Sequence, residues 1–249
     1  MIDIHTHIVP GLDDGSYDME TSIIMAEMAE EFGTDTIIAT PHCNQVGRFE
    51  NYISDKLISR LEAFRDEIAR ENIDLEIGFG MEIYCTEDVP KLLKEKKLLT
   101  LNGSRYALVE FGFRTDADKM ESMLYPIADS GYVPIVAHPE RYFALYDQPE
   151  IIEDWLDDGI GIQLNSGSVF GVFGRSAARF SRFLLDNDLV TCIASDAHGT
   201  ESRNMDLSEI YDFLSMEYSE EKAELLLTEN PRRIYNNMQL IKSRNIQLY

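Results

Sequence analysis

Residues 1–16 read MIDIHTHIVPGLDDGS. Two of the chain's five histidines, His5 and His7, stand one residue apart, and Asp13 and Asp14 follow in a turn-like LDDG. Side chains alternate along a strand, so His5 and His7 leave the same face, about 7 Å apart. Two imidazoles placed that way can close on one ion. The stretch predicts a first strand that ends in polar chemistry.

Six further apolar runs repeat the arrangement: TDTIIATPH (34–42), LEIGFGMEIY (75–84), YALVEFGF (106–113), VPIVAHPER (133–141), GIGIQLNSG (159–167) and LVTCIASDAH (189–198). They are rich in Ile, Val and Leu with little alternation, as strands covered on both faces should be. Amphipathic helical patterns lie between them, near 18–33, 50–71, 88–97, 117–131, 149–158 and 170–188, with two or three more in 206–237. Strand alternating with helix predicts a parallel sheet. Closed into a ring, it is a distorted seven-stranded (β/α)7 TIM-like barrel. Periodicity alone leaves an open doubly wound sheet as the alternative. No linker or composition shift divides the chain, so one domain over 1–249 is expected.

All five histidines fall at predicted strand ends: His5, His7, His42, His138 and His198. Glu82 and Glu110 end two more strands, and Asp196 stands two residues before His198, repeating the His-x-His spacing. In an α/β barrel these ends form one face, where catalytic groups collect. Any one histidine alone reads as a hydrogen-bonded core side chain. The whole set, joined by carboxylates, reads as a metal site, and a donor set without cysteine points away from a closed structural zinc. For Glu82 and Glu110 the competing reading is a buried acid paired with arginine. For Asp13 and Asp14 it is Asx-turn chemistry, with one aspartate serving the turn and the other a metal.

Charge narrows the function. The formal net charge is -23, which should repel a phosphate backbone and weighs against nucleic acid as a partner. Four carboxylates (Asp14, Glu82, Glu110, Asp196) and five neutral histidines shared among three divalent ions leave a net charge of about +2, which attracts an anion such as phosphate. Arg141 in HPER and Arg203 in HGTESR offer guanidinium forks for it. A cysteine-dependent phosphatase would need an arginine six residues after its cysteine. Phe49, Lys91 and His198 stand there after Cys43, Cys85 and Cys192, which read instead as core residues. A P-loop is missing, and GSVFGVFG (167–174) reads as a loop bordering the mouth. The scattered odd cysteine count, the lack of a secretory signature and the lack of a long apolar stretch lead us to expect a cytoplasmic protein with no membrane insertion.

The ordered set DIHTH, LDDGS, TPH, GMEIY, VEF, AHPER and SDAHG resembles the PHP family, named for polymerase and histidinol phosphatase. Within it, the chain looks like the bacterial manganese-dependent protein-tyrosine phosphatases of capsule and exopolysaccharide loci. The likeness runs from Met1 to about Asn236, including ENPRRIYNN. It implies a PHP-fold barrel with a trinuclear centre, most simply of Mn2+, with Fe and Zn also suited to these donors. By similarity, His5, His7, Glu82 and Asp196 hold the first ion. Glu82, Glu110 and His138 hold the second, and Asp14, His42 and His198 the third. Arg141 and Arg203 match phosphate-binding positions. The implied reaction is attack on phosphotyrosine by a hydroxide shared between two ions, on a protein substrate that is expected to be a bacterial tyrosine kinase governing polysaccharide synthesis. A histidinol-phosphate or other small phosphomonoester hydrolase is the alternative on the same scaffold, and a non-catalytic metal-binding regulatory module the alternative of another class. Tyr17, Phe49, Tyr142 and Phe143 follow the motif loops and read either as aromatic rims or, no less readily, as ordinary loop or core aromatics.

Overall fold

A computed structural model describes residues 1–243. Residues 244–249, the last of the expected 1–249 domain, lie outside the described residues. The strands are β1 (Ile2–Thr6), β2 (Thr36–Ala39), β3 (His42–Cys43), β4 (Glu76–Phe79), β5 (Glu82–Tyr84), β6 (Tyr106–Glu110), β7 (Val133–Ala137), β8 (Gly161–Asn165) and β9 (Cys192–Ala194). Every ladder between them is parallel, in a three-stranded sheet β1-β2-β4 and a six-stranded sheet β3-β5-β6-β7-β8-β9.

Each of the seven apolar runs forms a strand, but two are broken. Thr40 and Pro41 separate β2 from β3, and Gly80 and Met81 separate β4 from β5. Proline has no N–H to give a ladder, so pairing stops there and resumes shifted. Thr40 is held instead by a hydrogen bond from its N–H to Thr6 O (2.8 Å), and Glu82 N–H is shared between Thr40 O and Pro41 O. The break hands β3 and β5 to the second sheet. There His42 pairs with Glu82 directly across the ladder, and Tyr84 with Glu110. The ends of the chain's first and last strands also meet. Asp196 N–H donates to His5 O and His7 N–H to Ala197 O, both at 2.9 Å.

Helices α1 (Met19–Glu31), α2 (Asp55–Arg70), α3 (Val89–Lys94), α4 (Ala117–Asp129), α5 (Glu150–Asp157), α6 (Ser166–Val169), α7 (Arg175–Asp186), α8 (Ser208–Glu217), α9 (Glu220–Glu224) and α10 (Asn230–Tyr235) fill the connections. The helix expected over 170–188 starts later, because 170–174 is a glycine-rich turn between α6 and α7. Leu57, Leu61, Phe64 and Ile68 turn one face of α2 inward, and Ser54 caps it by accepting from Leu57 N–H. Those residues join a large core between strands and helices that includes Trp155. A smaller cluster draws Ile2, Ile4, Ile38, Leu108, Ile135, Ala137, Cys192 and Ala194 together from five strands. None of the described helices is long and apolar enough to cross a membrane. Cys43, Cys85 and Cys192 are free and buried.

Candidate metal centre

The C-terminal ends of the strands carry the polar residues singled out in the sequence. His5 lies in β1 and His7 one residue past it; His42 opens β3, Glu82 opens β5 and Glu110 closes β6. His138 follows β7, and Asp196 and His198 follow β9. Asp14, His42, Glu82, Glu110, His138, Arg141, Asp196, His198 and Arg203 line one mouth of about 300 Å3. His5 and His7 are fully buried and reach Glu82 and Asp196 within it. A larger cavity of about 630 Å3 opens by the N-terminal ends of the strands, at Tyr106, Val133 and Gly161. No described histidine or glutamate lines it, so its size does not compete with the chemistry of the mouth.

Donor spacing tests whether a cation fits. His5 Nε2 lies 3.2 Å from His7 Nε2, 3.2 Å from Glu82 Oε2 and 3.4 Å from Asp196 Oδ1. His7 Nε2 lies 3.2 Å from that glutamate oxygen and 3.5 Å from that aspartate oxygen. Donors held 2.0–2.2 Å from one ion stand roughly 2.8–3.6 Å apart, depending on octahedral or tetrahedral geometry. All five separations fall in that range. A second group forms where His42 Nδ1 sits 3.0 Å from Glu82 Oε2 and 2.9 Å from Glu110 Oε1. A third brings ring nitrogens of His7, His42 and His198 together, with Asp14 Oδ1 3.4 Å from His42 Nε2 and 3.7 Å from His198 Nε2. His138 Nε2 is 2.7 Å from Glu82 Oε1, so Glu82 stands among four histidines. The buried atoms Glu82 Oε2 and His42 Nδ1 have no hydrogen-bond partner, an arrangement that a cation would satisfy. The donor set fits divalent ions.

Surrounding groups fix the rings. His5 Nδ1–H donates to Gln163 Oε1 (2.8 Å), His7 Nδ1–H to Asp13 Oδ2 (2.7 Å) and His198 Nδ1–H to Asp196 O (3.0 Å). Each neutral ring is thereby left with an Nε2 lone pair, the tautomer a metal requires. The support continues inward, since Gln163 Nε2 donates to Asn165 Oδ1 (2.9 Å) and Asn165 Nδ2 to Asp196 Oδ2 (2.6 Å). Asp3 Oδ1 accepts from His5 N–H (3.3 Å) and Ser195 N–H (3.1 Å), tying β1 to β9, and burial pushes its carboxyl up to about 6. His138 and Asp196 adopt left-handed backbone, at φ 38° and 53°. Such residues cost on the order of 1–3 kcal/mol each and cluster at functional sites.

With no cation, protons balance the carboxylates. Burial opposes charge on His5 and His7. Glu82 and Asp196 raise His5 nevertheless, and Asp13 raises His7 well above the ordinary histidine value. Burial likewise opposes His42, but the Glu82 charge outweighs it and pushes His42 up to about 10. His198 goes the other way, down to about 2, through burial and the charge on His7. Glu82 and Asp196 are held well below the carboxylate range, against their burial, first of all by His5.

Both arginines converge on one oxygen. Arg203 Nη2 lies 2.7 Å and Arg141 Nη1 3.5 Å from Asp196 Oδ2. The Arg141 guanidinium is sandwiched between Phe113 (4.5 Å) and Phe173 (4.2 Å), and Arg203 lies 5.4 Å over Phe173. Phe173 belongs to the 170–174 turn, so that part of the expected 167–174 loop borders the mouth, while 167–169 lie in α6. The aromatic candidates divide between their two readings. Tyr142 is buried, stacked edge-on to His138, and its hydroxyl accepts from Phe111 N–H, so it is core. Phe49 lies flat on His42, and Tyr17 and Phe143 are exposed. Sequence reasoning missed Gln45, Arg48, Phe113, Gln163 and Asn165, and it missed that Asp13 serves both the turn and the His7 ring. For Gln163 and Asn165 the usable signal was polar residues inside an apolar strand.

The family model for capsular polysaccharide synthesis, CpsB/CapC, matches residues 1–236. The tyrosine-protein phosphatase YwqE of Bacillus subtilis (strain 168) is 35% identical over 242 residues, covering 97% of this chain and 94% of its own length. The tyrosine-protein phosphatase CpsB of Streptococcus pneumoniae is 37% identical over 240 residues, covering 94% and 98%. A chain from crystal structures of YwqE from Bacillus subtilis and CpsB from Streptococcus pneumoniae, unique metal-dependent tyrosine phosphatases, aligns with a TM-score of 0.90 at 34% identity, over 97% of each chain.

Proposed function

The chain belongs to the CpsB/CapC family of capsular polysaccharide synthesis, and from that premise we propose that it is a metal-dependent protein-tyrosine phosphatase. The observation that carries the reading is the set of five donor separations of 3.2–3.5 Å among His5, His7, Glu82 and Asp196. We assign those four to one ion, Glu82 with Glu110 and His138 to a second, and Asp14, His42 and His198 to a third. Mn2+ is the metal we favour. The substrate we propose is a phosphotyrosine protein, a tyrosine kinase of polysaccharide synthesis. The free buried thiols suit the cytoplasm. We also read the nine described strands as seven, two of them broken, closing as a distorted barrel in one domain. The β1–β9 hydrogen bonds and the small five-strand cluster support that closure.

Bound divalent ions would activate water as a nucleophile near neutral pH and offset phosphate charge. The chain's own residues do the rest. Arg141 and Arg203 line the mouth and converge on Asp196 Oδ2, beside which a phosphoryl group would receive two forks as its charge shifts. The Phe113 and Phe173 faces hold Arg141 without competing for its hydrogen bonds. Asn165 and Gln163 keep Asp196 and His5 in position. A phenol leaving group, with a pKa of about 10, needs little help from an acid.

The test is release of phosphate from a phosphotyrosine peptide by purified protein with Mn2+, with EDTA, and by His138→Ala and Arg141→Ala. Release should vanish with EDTA and with His138→Ala, and Arg141→Ala should lower kcat about 10²–10³-fold. Histidinol phosphate, assayed alongside, should turn over poorly. Turnover of histidinol phosphate with none of the peptide would overturn the substrate assignment, and no turnover of either would leave a binding role.

A further inference from the structure

The groups behind the metal donors differ between the two sides of the mouth. His5, His7 and Asp196 are backed by Gln163, Asp13 and Asn165, in the interior. Asp14, His42 and Glu110 are backed by one surface hairpin, residues 44–50. Gln45 and Phe49 pair across it through both backbone hydrogen bonds (3.0 and 2.9 Å), and Gly47 makes the tip at φ 78°. Three of its side chains each grip a different donor residue. Gln45 Nε2 donates to Glu110 Oε1 at 2.6 Å, and Arg48 Nη2 to Asp14 Oδ2 at 2.9 Å. The Phe49 ring lies on His42 at 5.2 Å and 10°, with the Arg48 guanidinium 4.7 Å over Phe49. Yet the hairpin stands in solvent, with Val46 83% exposed and the Arg48 side chain 62% exposed.

We propose that hairpin 44–50 is a clamp that sets cation affinity on the Asp14–His42–Glu110 side of the centre alone, making that side the exchangeable one. The proposal rests on the metal-centre reading above. Gln45 and Arg48 also line the mouth; with Phe49 they act as positioning residues, holding two carboxylates and a ring in place. Partners of this kind change metal affinity about 10–100-fold when removed. A clamp of one exposed and two half-buried side chains opens more readily than one of fully buried amides, because local opening is cheapest where few buried contacts are lost. The second and third cations, which the hairpin-backed donors would hold, therefore bind more weakly and follow the free metal concentration, while the first, on His5, His7, Glu82 and Asp196, stays loaded.

The experiment is equilibrium dialysis of metal-free protein against Mn2+, with bound metal counted by mass spectrometry. Wild type should show a tight and a weak class of sites. Gln45→Ala and Arg48→Ala should each weaken the weak class about 10–100-fold and leave the tight class within about 2-fold. Arg48→Lys, which keeps the charge beside Asp14, should recover most of the loss. Equal weakening of both classes, or no change in either while wild type still binds, would overturn the clamp. A wild type that binds no divalent ion would instead sink the metal-centre reading on which the clamp rests.

Discussion

Asp13 and Asp14 are neighbours in the chain with different surroundings. Asp13 is buried; its Oδ2 accepts from His7 Nδ1–H (2.7 Å) and His42 N–H (2.9 Å), while Oδ1 accepts from Gly15 N–H (3.0 Å). Burial opposes its charge, but His7 overrides this and holds it well below the carboxylate range. Asp14 is half-exposed and turns Oδ1 toward His42 and His198. The turn and the ring support thus fall on one residue and the cation-facing oxygen on the next. Asp14→Asn should therefore lower the number of ions bound per chain by one. Asp13→Asn should keep the number and weaken affinity about 10-fold, because the carboxylate that orients His7 is gone. Metal counting on both variants checks this; the reverse pattern would exchange the two roles. The turn was legible in LDDG, since aspartate before glycine is turn chemistry. The hold on His7 was not, because a side chain's direction inside a turn has no periodicity to reveal it.

At the scale of elements, the close return of the 11–16 loop onto the end of β1 places both aspartates. Gly11 N–H donates to Ser16 O (2.8 Å) and Ser16 N–H to His7 O (2.9 Å). A Cβ on Gly15 would stand 2.1 Å from His7 O and 2.4 Å from His7 Cβ. Neither neighbour can yield, since His7 is pinned by Asp13. Gly15→Ala should destabilise the fold by about 2–4 kcal/mol and loosen the metal site with it. Urea unfolding of the metal-free protein measures this, and a loss below about 0.5 kcal/mol would mean that the loop shifts freely. All seven strands were legible as apolar runs, because buried parallel strands carry that composition whatever their neighbours. The breaks at Thr40–Pro41 and Gly80–Met81 were less so. Pro41 marks a missing donor, but which sheet β3 joins depends on pairing with Glu82, forty residues away in the chain. Tyr142 was unreadable for a related reason: Tyr142 and Phe113 both follow strand ends, and only packing decides that one is core and the other faces Arg141.

For the molecule as a whole, the formal charge of -23 meets a centre that concentrates carboxylates inside the fold. Without cations, His5, His7 and His42 carry protons in their place. His5 and His7 are raised above the ordinary histidine value, and His42 to about 10. A raised folded value means stability that is full below about pH 6.5 and lost as pH climbs through the folded value. For His42 that loss runs to about pH 10. On the acid side, Glu82 and Asp196 have lowered values, so their contribution is present above about pH 4 and lost below it. His198, neutral in the fold down to about 2, adds a loss as pH falls below about 6.5, because the unfolded chain then takes up a proton that the fold refuses. Asp3, raised to about 6, contributes stability that is lost as pH rises to about 6 and so offsets His198; metal-free protein should therefore be most stable between about pH 4 and pH 6.5, with Tm declining through pH 8 and 9. Divalent ions reverse the alkaline limb, because they replace the protons that are being lost and bind better as their ligands deprotonate. The rise in Tm on adding Mn2+ should thus grow steadily from pH 6 to pH 9. Thermal melts with EDTA and with Mn2+ across that range decide it: a metal-induced rise that is flat or shrinks with pH would mean that ions and protons do not compete for these rings, and the cluster would then be a proton-held core network.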